Sequence, residues 1–180
     1  MSVPSDTTSA AAASTQSLIC GLLRGYMVLE RDQVVVYNQK WKIPADDRLY
    51  ITVASLGPEK QYGATVDLHD SADESALVED IAIASQEMIG IDIYSRSQEA
   101  IQRKEEVMMA LASTAMQQLC EQWAIKVARI PLTFVDTSGL EATARLNRFH
   151  LAFAVLRTRT RSSVVQFYDT FQKPKLVIEP

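Results

Sequence analysis

From Leu77 to Tyr94 the odd-numbered positions Leu77, Ile81, Ile83, Ile89, Ile91 and Ile93 are apolar, whereas the even positions include Asp80, Gln86 and Asp92. Successive side chains of a strand point to opposite faces, so the run reads as β structure with one apolar face. It is much longer than the usual strand of about five or six residues. Two forms satisfy it: one long strand projecting beyond its sheet, or a hairpin turning near Ser85-Gln86-Glu87.

The flanking segments supply layers for such a strand. Leu18, Ile19, Leu22, Leu23, Tyr26 and Met27 recur at three- and four-residue intervals, predicting a helix over Ser17 to Leu29. The β-branched run Val34-Val35-Val36-Tyr37 predicts a short strand, and Arg48 to Leu56 another, closed by Gly57-Pro58. The polar stretch Glu59 to Ser75 reads mostly as loop. Gln98 to Trp123 predicts one long helix with Ile101, Met108, Leu111, Ala112, Ala115, Met116 and Leu119 as its apolar stripe. A strand over Ile125 to Ile130 ends at Pro131, and Ser138 with Glu141 has capping-box spacing ahead of a short helical turn.

After Leu146 the parity signal returns. Phe149, Leu151, Phe153 and Val155 alternate with Arg148, His150, Ala152 and Ala154, and the same face continues as Arg157, Arg159 and Arg161. A hairpin partner is expected over Ser163 to Tyr168. The order of elements suits a single α+β domain: a mixed or antiparallel sheet packed against a long helix and an N-terminal helix, with extended arms. A Ser-, Thr- and Ala-rich flexible tail is expected over residues 1–16, the domain over 17–171 and a C-terminal arm over 172–180.

Composition narrows the functions. At 180 residues and 47% apolar content one core is expected. Eighteen Lys and Arg against 22 Asp and Glu give a formal charge of −4, so contact with nucleic acid must be local. The tail lacks the basic start and apolar core of a secretory signal. No apolar run approaches the roughly 20 residues of a membrane span, so a soluble protein is expected. Cys20 and Cys120 read as buried thiols of a reducing compartment.

Little of the chain has the pattern of a chemical site. The six glycines form neither GxGxxG nor a P-loop, and Gly21 with Gly25 makes a GxxxG pair best read as helix packing. GxSxG and HExxH are absent. Asp67-Leu68-His69-Asp70-Ser71 is the only dense group of metal-ligand types, and reads first as a solvated turn. His150 reads as a satisfied strand histidine, with a general base as the sharper alternative. The chain is therefore expected to be no enzyme and to carry no cofactor or metal. The alternative is a small ligand-binding or hydrolytic domain using His150 and the Asp67–Asp70 loop.

Two features point to assembly. Arg157, Arg159 and Arg161 project from one side of a strand, suited to a wet strand end, to salt bridges with a neighbouring subunit through Glu74, Glu79, Asp80 or Glu87, or to DNA phosphates. The terminal Leu176-Val177-Ile178, between prolines, can add to a sheet edge of another molecule or finish its own sheet.

Taken with the early helix, Val34-Val35-Val36-Tyr37-Asn38-Gln39, Leu49-Tyr50-Ile51-Thr52-Val53 and Ile91-Asp92-Ile93-Tyr94 before the helix at Ala100 resemble bacteriophage neck or tail terminator proteins. The polar turn Asp136-Thr137-Ser138-Gly139-Leu140 and the strand start Leu146-Asn147-Arg148-Phe149 extend the resemblance from Ser17 to about Phe171. Arg96-Ser97 stands where a glycine-containing turn is expected. The resemblance implies a hexameric ring in the virion that caps the tail tube, meets the tube protein, sheath and head connector, and lets DNA pass as cargo. It implies no catalytic residues.

Overall fold

The computed structural model describes residues 14–38, 40–70, 77–130, 133–141 and 144–165. The expected tail and the C-terminal arm with Leu176, Val177 and Ile178 lie outside them, except that helix α1 (Thr15–Met27) already begins inside the expected tail. Its N-cap Ser14 accepts a hydrogen bond from the Ser17 backbone N–H, satisfying a donor that the first helical turn leaves free.

The chain forms a mixed α+β fold. Its frame is two long antiparallel strands, β4 (Leu77–Ser95) and β8 (Ala144–Val165), paired continuously from Leu77↔Val165 to Ser95↔Asn147. The outer edge of β4 carries β2 (Tyr50–Ser55) along Ile89–Tyr94 and β3 (Lys60–Asp70) along Leu77–Gln86. β1 (Val34–Val36) joins β2 in parallel. The outer edge of β8 carries β5 (Ile125–Val127), β6 (Val135–Asp136) and β7 (Gly139–Glu141).

Parity decides which half of the frame is covered. Ile89, Ile91 and Ile93 face the same side as their partners Phe153, Leu151 and Phe149, and all six are buried. Helices α1 and α2 (Glu99–Leu111) lie on that side, sharing one core through Ile19, Leu23, Val107 and Ala110. Fully burying each large side chain here stabilises the fold by about 1.5–3 kcal/mol. Past Ser85 the strands run on without the helices.

Four expectations are corrected. The helix expected from Gln98 to Trp123 is two, because Ser113 caps α3 (Thr114–Gln122): its Oγ accepts from the Met116 N–H and donates to the Ala110 carbonyl. Such local side-chain bonds compete with a continuing helix. The stretch read as loop from Glu59 to Ser75 contains β3, with a bulge between Gln61 and Ala64 at Gly63, whose φ of +61° suits glycine. Ser138 heads no helical turn, since its Oγ accepts from the Arg148 N–H at 2.9 Å while Gly139–Glu141 pairs as β7. The return hairpin expected at Ser163 is absent through Val165, where β8 still pairs with β4. The run from Leu77 is one strand, not a hairpin.

Candidate subunit interface

Beyond the helix layer, the distal parts of β3, β4 and β8 make a three-stranded arm. From Ser85 to Leu77 it spans eight residues, about 26 Å at 3.3 Å per residue. Every residue of β3 is exposed, as is β8 from Thr158 to Val164. The register assigns the faces. On the helix side lie Ala64, Val66 and Leu68, then Ile83, Ile81 and Glu79, then Arg159, Arg161 and Ser163. Val66 and Leu68 are each 58% exposed, forming an apolar stripe beside the arginine row. The opposite face carries Asp67, His69, Asp80 and Thr160.

The arginines share one face, as their alternation required. Of the three, only Arg159 comes within ion-pair distance of a carboxylate among the described residues, Glu59 at 3.9 Å. Glu59 also accepts a hydrogen bond from Ser85 Oγ. The acidic residues expected as their intersubunit partners are dispersed. Glu79 shares the arginine face, Asp80 faces Asp67 on the other side, and Glu87 accepts from Gln16 Nε2 of α1 at 2.7 Å. Glu74 lies outside the described residues. Asp80 stands directly opposite Asp67, which costs stability, and His69 Nδ1 lies 3.8 Å from it.

The second group that sequence raised is split by the same register. His150 pairs opposite Asp92, whereas His69 pairs opposite Val78, fourteen residues along β4, or about 46 Å. His150 and the Asp67–Asp70 segment therefore form no common site. His150 instead joins a small cluster: its Nδ1 is 2.9 Å from Asp92 Oδ1, and Arg148 NH2 is 3.2 Å from the same oxygen. A cleft of about 340 Å³ lined by Tyr37, Trp41, Ile43, Asp92, Tyr94 and Arg148 adjoins it. Burial raises the Tyr94 hydroxyl pKa. The cluster ties Asp92 of β4 to Arg148 and His150 of β8 on the face of the sheet opposite the helices. Among the described residues, no group of three or more His, Cys, Asp and Glu is placed to hold a metal.

A charged corner at the other end of the molecule had no motif to announce it. Arg48 sits between Glu30 (3.5 Å), Asp32 (3.1 Å) and Asp46 (3.0 Å), three carboxylates around one guanidinium. Tyr50 Oη donates to Asp46 Oδ2 at 2.8 Å, and this bond, with those from Arg48, holds the Asp46 carboxyl below the usual range. Beside the corner, Val28 closes α1 in the left-handed conformation at φ 53°, with 88% of its surface exposed. Compared with known proteins, the chain matches no family model and no curated protein.

Proposed function

We propose that this chain is a non-enzymatic structural subunit of a bacteriophage neck or tail, a terminator-type connector of which about six copies close into a ring. In that role it caps the tail tube and joins it to the head connector. Its partners are further copies of itself, the tail tube protein, the head-connector proteins and, in a contractile tail, the sheath. DNA crosses the central channel as cargo, with no cofactor involved.

The observation that carries this reading is the arm. Three strands run about 26 Å past the helices with apolar Val66, Leu68 and Ile83 exposed on one face. A narrow ribbon wet on both faces is marginal by itself, and a contiguous apolar stripe on it marks a contact surface. A projecting arm makes contact with a different surface of the next subunit, and such heterologous contacts close into rings. The resemblance carried by Leu49–Val53 and Ile91–Tyr94 supplies the phage context.

Immunogold labelling of intact virions from the phage that encodes the chain tests the role. The expected result is label confined to the head–tail junction. Label along the whole tail, or none on purified virions, would overturn it.

A further inference from the structure

The two charged surfaces of the subunit lie at opposite ends of β4. The arm's arginines pair along Ile81–Ser85, while the acidic corner flanks Leu49, one residue before Tyr50 pairs with Tyr94. Thirteen residues separate Ile81 from Tyr94, about 43 Å. No single copy can bring these surfaces together, but two copies arranged head to tail can.

Each surface sets a net charge of one sign beside exposed apolar side chains. On the arm, Arg159 and Arg161 stand opposite exposed Ile83 and half-buried Ile81 of β4, beyond which lie exposed Val66 and Leu68 of β3, with Arg157 on the same face and Glu59 and Glu79 offsetting part of the charge. At the corner, one guanidinium stands among three carboxylates, while the neighbouring Asp47 and Arg31 offset each other. Tyr26 and Val28, at the end of α1, are 45% and 88% exposed beside Glu30. Val28 is hard to explain within its own subunit: a β-branched residue in the left-handed region, where glycine is the default, buries almost nothing there.

We infer that the helix-side face of the arm docks on the acidic corner of a second copy, setting Arg159 and Arg161 against Glu30 and Asp32, and Val66, Leu68 and Ile81 against Tyr26 and Val28. The inference rests on the ring reading and names its two surfaces. Continuity supports it, since the docking face prolongs the side of the sheet that α1 and α2 cover within the subunit. The contact is heterologous, leaving each subunit a free arm and a free corner until the ring closes. Its charges make assembly faster and tighter at low salt.

Charge exchange tests it, with molar mass by light scattering as the readout. Arg159→Glu with Arg161→Glu raises the half-assembly concentration at least about tenfold, and Glu30→Arg with Asp32→Arg does the same. The chain carrying all four changes recovers most of the wild-type assembly, which generic misfolding could not produce. Val28→Gly, which leaves the monomer folded, also weakens assembly, by about threefold or more. If wild type assembles and the reversals neither weaken nor rescue it, the docking surfaces are wrong while the ring stands. If wild type stays monomeric under all conditions, the ring itself fails. Loss of assembly on removing residues 166–180 or 1–13, with the reversals silent, would assign the arm face to those segments and overturn the inference.

Discussion

Replacing Val28 by glycine should make the folded monomer more stable, although it deletes an apolar side chain. Val28 sits at φ 53°, and its N–H reaches the Arg24 carbonyl to close α1. A left-handed L-residue costs roughly 1–2 kcal/mol, and glycine in its place costs roughly 0.5–1 kcal/mol in added chain entropy. Because 88% of the valine is exposed, its removal forfeits only about 0.2–0.3 kcal/mol of burial. The net gain is about 0.3–0.7 kcal/mol. Urea unfolding of the monomer, in the Arg159→Glu, Arg161→Glu background, should show a midpoint higher by about 0.1–0.4 M with unchanged slope. A midpoint that stays level or falls would refute the assignment of strain to this residue.

Other outcomes follow from the same physical bookkeeping. Ile91→Ala opens a void opposite Leu151 in the covered sheet and should cost about 2–5 kcal/mol, read from the same unfolding curve. Burial pushes the Cys20 thiol up to about 11, so thiolate-specific alkylation at pH 8 with peptide mapping should label Cys120 well before Cys20. Asp46 titrates lower in the folded chain than unfolded, so its contribution is present above the unfolded carboxyl pKa and is lost as pH falls through the folded value. Asp46→Asn should therefore flatten the acid limb of the stability profile in that window and leave neutral pH less stable.

The parts of this fold legible in the sequence are those with an inside and an outside. Ile89, Ile91 and Ile93 alternate cleanly because helices cover one face, and the same is true of Phe149 to Val155. In β3 both faces meet solvent, so Asp67, His69 and Asp70 can alternate with Val66 and Leu68 with no desolvation cost, and the bulge at Gly63 broke the period. Ser113 and Ser138 each make a local hydrogen bond whose partner sequence cannot name: one ended a helix expected to continue, the other served a strand where a helix was expected. The arginine row was visible by parity. The acidic corner was not, because Glu30 and Asp32 in the α1–β1 connection and Asp46 in the β1–β2 connection converge only on Arg48. His150 and the Asp67–Asp70 segment looked combinable in sequence, and strand register alone separates them.

The most direct measurement is the molar mass of the purified chain across a concentration series, with negative-stain imaging of the largest species. The account predicts a closed particle of about six 20.0 kDa subunits with a central hole, dissociating as salt rises. A mass of one subunit at every concentration and salt, with no ring in the images, would contradict it.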